Sequence, residues 1–187
     1  MLSRNIVLLT LDAFGGETTG KTLLLKRIFF LGEILGRDFG YRPHYYGPYS
    51  DDIASDIIIL KNYGLIEAKT HEYGVAGKGG FEVRRFDYRL TEEGRKAVQW
   101  LKAQYPEEAK SVEDAARRIR EAGEIDYMDL SIAAKAYFIL KKNQQTMAPK
   151  QIAAEASNFS WQVEIPQIQS AVRFLEMLGM VTTTAPF

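Results

Sequence analysis

The residues Gly15-Gly16-Glu17-Thr18-Thr19-Gly20-Lys21-Thr22 fit the pattern G-x-x-x-x-G-K-[ST]. In a phosphate-binding loop this spacing lets backbone N–H groups wrap phosphates while the lysine neutralises them and the hydroxyl holds magnesium. An apolar segment precedes the motif and a helical pattern follows it. The rest of a nucleotide-hydrolysing domain is missing, because that fold needs several apolar strands alternating with helices, one of them ending in an aspartate for the metal. Past residue 22 the only strand pair is a hairpin. The expectation is that Gly15-Gly16 ends a first helix and that Thr18 or Thr19 caps a second. Nucleotide binding through Gly15–Thr22 is the least favoured function, and no cofactor is expected.

Two other groups of side chains could contact an anion. Lys69, Lys78, Arg84, Arg85 and Arg89 lie on or beside a hairpin with a glycine-rich tip, where they could neutralise phosphates without reading sequence. Glu67, Glu72, Glu82 and Asp87 are interleaved with them and could pair across the strands. Near the C-terminal end, Gln167, Gln169, Ser170 and Arg173 fall between the core positions of a helix, and Lys150 sits on the helix before it. Glutamine and arginine make bidentate contacts to adenine and guanine edges. Lys141 and Lys142 lie in the preceding turn. Arg117, Arg118 and Arg120 are expected to be solvated or paired with Glu113, Asp114 and Glu121.

An aromatic stretch, Tyr41, His44, Tyr45, Tyr46 and Tyr49, is broken by Pro43 and Gly47-Pro48. It reads first as a rigid plug that orients the next helix, and second as a surface for stacking bases or docking a partner. The chain has no cysteine and only two histidines, His44 and His71. Thiolate catalysis and disulfides are excluded, a metal site is not expected, and no catalytic constellation suggests an enzyme. The N-terminal apolar run is too short to span a membrane, so a cytoplasmic protein is expected.

The elements follow from periodicity and caps. Arg4–Phe14 has one apolar helical face, and Leu24, Ile28, Leu31 and Leu35 mark a second helix ending at Gly36. Ser50 is a good cap, with Asp51 and Asp52 at the positive end of a third helix that Gly64 closes. Leu65–His71 and Phe81–Leu90 read as strands joined by Tyr73–Gly80, with Arg84-Arg85 shifting the phase as at a bulge. Thr91 caps a helix that Pro106 ends, and a short charged helix runs over Val112–Ala122. Leu130–Leu140, Pro149–Ala156 and a segment starting at Pro166 complete the chain.

Leu60-Lys61-Asn62-Tyr63-Gly64-Leu65 and Leu175-Glu176-Met177-Leu178-Gly179-Met180 share a leucine four residues before a glycine and an apolar residue after it. This is a helix with a Schellman-type cap leading into a strand. Each half therefore reads helix, helix, helix, strand, the order of a winged helix. The fold expected is mainly α with a small β-hairpin, two winged-helix units joined by a helical linker. Residues 1–104 would carry the full wing and the following helix, 105–129 the linker, and 130–187 a shorter second unit.

Tyr88-Arg89-Leu90-Thr91-Glu92-Glu93-Gly94-Arg95 resembles the strand-to-helix junction of PadR- and MarR-type winged-helix regulators. Through Tyr46-Gly47-Pro48-Tyr49-Ser50, residues 1–104 more closely resemble the YwgA-type archaeal and bacterial winged-helix proteins. The same element is more weakly similar to the Panacea domain of SocA-type antitoxins. The second unit is similar only to a generic winged helix-turn-helix. These resemblances imply DNA binding or protein interaction, and the closer family has no settled activity to transfer.

Charge bears on that choice. The chain of 187 residues carries 24 basic and 24 acidic side chains. Residues 1–104 hold 15 basic and 13 acidic residues, and the remainder 9 and 11, so neither half is a basic body. Asp51, Asp52 and Asp56 on the third helix would face phosphates if it entered a groove. The leading expectation is a homodimeric transcriptional regulator contacting double-stranded DNA through the wing and the second unit. The alternative is a protein–protein adaptor or antitoxin-like subunit that uses the same folds, with the Tyr41–Tyr49 stretch as a possible docking site.

Overall fold

The computed structural model describes residues 1–76, 81–123 and 126–182, with side chains throughout except at 73–76 and 81–84. Helix α1 (Ser3–Ala13) leads through strand β1 (Glu17–Thr18) to α2 (Lys21–Leu35) and α3 (Asp51–Asn62). The hairpin β2 (Ile66–Ala76) and β3 (Phe81–Leu90) follows, and then helices α4 (Glu92–Gln104), α5 (Pro106–Glu121), α6 (Tyr127–Asn143), α7 (Pro149–Asn158) and α8 (Ile165–Met177). The expectation of a mainly α protein with a small antiparallel hairpin holds. The sheet gains a third strand in the order β1-β3-β2, all antiparallel.

Local chemistry explains most boundaries. The Ser50 hydroxyl accepts from the Ile53 N–H at 3.2 Å, and the Thr91 hydroxyl accepts from the Gly94 N–H at 3.0 Å. Both caps satisfy an orphan donor of the first helical turn. The two glycine junctions match each other in detail. The Leu65 N–H bonds the Leu60 carbonyl at 3.0 Å and the Met180 N–H bonds the Leu175 carbonyl at 2.9 Å. Gly64 and Gly179 both have φ of +69°, the left-handed conformation the Schellman cap requires. No strand follows Gly179 among the described residues.

Several expectations change. Thr18 and Thr19 do not cap the second helix: Gly20 does, with φ of +85°, while Thr18 pairs with Tyr88 in β1. The hairpin irregularity lies on β2, between Glu72 and Val75, because β3 runs in unbroken register through Arg84 and Arg85. The charged helix begins at Pro106 rather than Val112, with the proline at its first position, where a missing N–H costs nothing.

Helix α2 is buried at every position from Leu23 to Gly32, which marks it as the central element. It packs on α1, α5 and α6. Ala109, Val112, Ala115, Ala116 and Ile119 of α5 are buried, so α5 is packed along its length. The Phe30 and Phe174 rings meet edge-on at 5.5 Å, and Lys141 of α6 binds Glu33 of α2 at 2.8 Å. One continuous core therefore runs through the first helical triad, α1–α3, and the second, α6–α8, and the chain forms a single domain.

Candidate functional site

The glycine–lysine loop is engaged at both points a phosphate would need. The Gly20 N–H, which opens α2, donates to the Asp87 carboxylate at 2.9 Å, so an anion of the protein itself occupies that helix end. The Lys21 ammonium donates to the Tyr49 hydroxyl at 3.1 Å. Helix α1 rather than a strand precedes the loop, and Thr18 accepts from Arg27 at 3.3 Å.

The wing root alternates in charge. Register puts Glu17, Arg89 and Glu67 in one row across the three strands, with Lys69 opposite Asp87 and His71 opposite Arg85 in the next rows. Arg89 is bonded to Glu67, and this bond and its charge raise the guanidinium pKa above its ordinary value. The Arg85 guanidinium lies 2.9 Å from Asp87, and the His71 imidazole 3.0 Å from the same carboxylate. Lys69 is exposed. Lys78, the side chain of Arg84, and the side chain of Glu82 lie outside the described residues.

The second group separates into structural and exposed members. The Gln167 side-chain oxygen accepts from the Glu164 N–H at 3.0 Å, which caps α8. Gln169 is half-buried, whereas Ser170 and Arg173 on α8 and Lys150 on α7 are exposed. Among the arginines of α5, Arg117 pairs with Asp114 at 2.6 Å and with Glu121, as expected. Arg118 and Arg120 instead donate to the carbonyls of Leu178 and Ala13, tying the C-terminal ends of α8 and α1 to α5.

Helix α3 departs from its expected role at one carboxylate. Asp56 is 7% exposed and accepts from Ser3 at the start of α1, with Arg4 beside it. It therefore does not face solvent. Asp51 and Asp52 are exposed, Asp51 being paired with Arg42. Ile58 on the outer face is 56% exposed, and Tyr63 beyond the helix end is 74% exposed.

The aromatic stretch is a closed loop. Arg42 and Tyr49 exchange both backbone hydrogen bonds at 2.9 Å, and Gly47, with φ of +97°, makes the turn. The Tyr41 hydroxyl donates to the Leu25 carbonyl at 2.6 Å, and the His44 ring stacks on Tyr49 at 4.8 Å. The plug reading fits these residues. Tyr45 and Tyr46 stay outside, 71% and 62% exposed.

Under this loop lies a group the sequence reading missed. Lys26 is 1% exposed and donates to the Pro48 carbonyl. Burial pulls its pKa from 10.5 down to about 7, and the neighbouring charge of Lys135 adds to the fall. Burial also lowers Lys135, whose side chain packs against Gly47. Fully buried lysines are rare unless paired. The available signal was Lys26-Arg27 inside the otherwise apolar run Leu23–Leu31.

Among the described residues no group of histidines and carboxylates could hold a metal ion, and no helix is long and apolar enough to cross a membrane. No protein-family model matches the chain, and no curated protein matches it.

Proposed function

We propose that this chain is a protein-interaction module, built from two winged-helix-like triads fused through one core, whose α3 face docks a partner protein. The matching Schellman caps after α3 and α8 support the paired triads, as does the helix–helix–helix–hairpin order of the first half. The observation that carries the function is the character of α3. The helix that would enter a major groove begins with two exposed aspartates and presents Ile58, with Tyr63 just beyond it. A duplex would be repelled by Asp52, Asp51 being paired with Arg42, and would leave Ile58 and Tyr63 unused. At the wing root Arg89 and Arg85 are already engaged by Glu67 and Asp87.

A second reading, a dimeric regulator bound to double-stranded DNA, is favoured by one observation: Ser170, Arg173 and Lys150 are exposed on consecutive helices. The two readings separate in one experiment. A photo-crosslinking amino acid at position 58 is expected to capture a protein in cells, whereas one at 170 is not. Fluorescence anisotropy with duplex DNA at low salt is expected to show no saturable binding. Steeply salt-dependent binding that Arg173→Ala weakens would overturn the interaction reading and establish the regulator.

A further inference from the structure

A cleft of about 400 Å³ opens where the first triad meets the second, between the C-terminal half of α2, residues 36–41 and the end of α6. Its volume falls within the range of small-molecule sites, which also form between the packed helices of bundles. Its walls are aromatic. Phe29 meets Tyr41 edge-on at 5.0 Å, and Phe39 lies so close to the α2 backbone that a β-carbon on Gly32 would fall 2.8 Å from its ring. Phe138 closes the far side and is itself edge-on to Phe159 and Trp161, both at 6.1 Å.

The rim carries three cations, Arg37, Lys141 and Lys142, against two carboxylates. Both carboxylates are committed. Glu33 holds the Lys141 ammonium with both oxygens, at 2.8 and 2.9 Å, and Asp38 accepts from the Gly40 N–H at 2.8 Å. Neither Arg37 nor Lys142 has a carboxylate partner among the described residues: Arg37 donates to the Met1 carbonyl, and the Lys142 ammonium lies 4.8 Å over the Phe159 ring. A cleft with ring-lined walls and an unbalanced cationic rim fits a flat apolar molecule ending in an acid.

We propose that this seam cleft binds a small organic carboxylate with a planar apolar body, its rings against Phe29, Phe39 and Phe138 and its acid at Lys142. Because α2 and α6 belong to different triads, such a ligand braces the two halves against each other. The assignment does not depend on what docks at α3.

The test uses 2-naphthoate, with 2-naphthylmethylamine as the oppositely charged probe, by calorimetry and thermal unfolding of the full chain. The carboxylate is expected to bind saturably and raise the melting temperature, with the amine weaker by at least about tenfold. Lys142→Glu, at an exposed position, is expected to reverse that preference without unfolding the protein, and Phe39→Ala to weaken both probes. Absence of saturable naphthoate binding at millimolar concentration would overturn the site. Equal binding of the two probes, or an unchanged preference in Lys142→Glu, would overturn the assignment of an acidic ligand.

Discussion

The indole N–H of Trp161 donates to the main-chain carbonyl of His44 at 2.6 Å, joining positions 117 residues apart. Trp161 follows α7 and is 1% exposed, so this contact is part of the wall where the aromatic loop meets the second triad. Trp161→Phe keeps a ring but loses the donor and part of the packed volume. The expected cost is about 2 kcal/mol in urea denaturation. Because one core spans both triads, circular dichroism and tryptophan fluorescence should report a single coincident transition. Two separated transitions would show that the halves unfold independently.

Lys26 links stability to pH. Its folded pKa, about 7, lies below the ordinary 10.5, chiefly through burial and then through Lys135. Between those values the unfolded chain holds more protons than the folded one, so stability rises with pH across the window. Below about pH 7 both states are protonated and the penalty is constant. The expected slope between pH 7 and 9 is about 1 kcal/mol per pH unit. Lys26→Met should remove it, gaining most over the wild type at pH 7 and least at pH 9. Parallel pH profiles for the two proteins in urea titrations would show that Lys26 does not carry a buried charge.

Gly94 and Gly64 make a matched pair at the junction between wing and helix. A β-carbon on Gly94 would sit 2.0 Å from the Leu65 carbonyl oxygen, whereas one on Gly64 would meet nothing within 4 Å. Gly64→Ala therefore costs only its left-handed backbone, about 1 kcal/mol. Gly94→Ala must push the Leu65 carbonyl away from α4 and should cost more than about 3 kcal/mol. Denaturation midpoints of the two variants give the order directly, and equal losses would sink the close-approach argument.

These contrasts show which parts of the fold are legible in sequence. Ser50, Thr91, Gly64 and Gly179 act on neighbours a few residues away, so residue type and spacing reveal them. Strand β1 was invisible because two residues carry no period and only the edge of β3 makes them a strand. Asp56 reads as part of an acidic helix end until the fold brings Ser3 to it. The seam cleft is similar: Phe39 and Lys142 are more than a hundred residues apart, and nothing local joins them. The glycine–lysine motif misleads for the converse reason, since its spacing is right and its surroundings are wrong.

That motif yields a direct test. With the α2 N-terminus bonded to Asp87 and Lys21 to Tyr49, neither group is presented to a phosphate. ATP and GTP are expected to leave the melting temperature unchanged in the presence of magnesium. Lys21→Ala should cost less than about 1 kcal/mol, the value of one partly exposed hydrogen bond. A nucleotide-dependent stabilisation that disappears in Lys21→Ala would restore the phosphate-loop reading.

The wing root offers the sharpest control on DNA. Arg89 lies in register between Glu67 and Glu17, and its bond to Glu67 commits the guanidinium to the protein. Phosphate binding there must first displace a carboxylate, which cancels the gain from releasing a counterion. Glu67→Gln keeps the side-chain shape and removes that competitor. It is expected to bring weak DNA binding at low salt, with a salt slope of about one unit, where the wild type shows none. Glu92→Gln with Glu93→Gln frees Lys96 on α4, which both carboxylates hold, and serves as the comparison away from the wing. If Glu67→Gln binds DNA no better than the wild type, the wing does not meet phosphate even when uncompensated. If the wild type already shows a steep slope, the wing carries DNA despite its carboxylates and the docking reading of α3 falls.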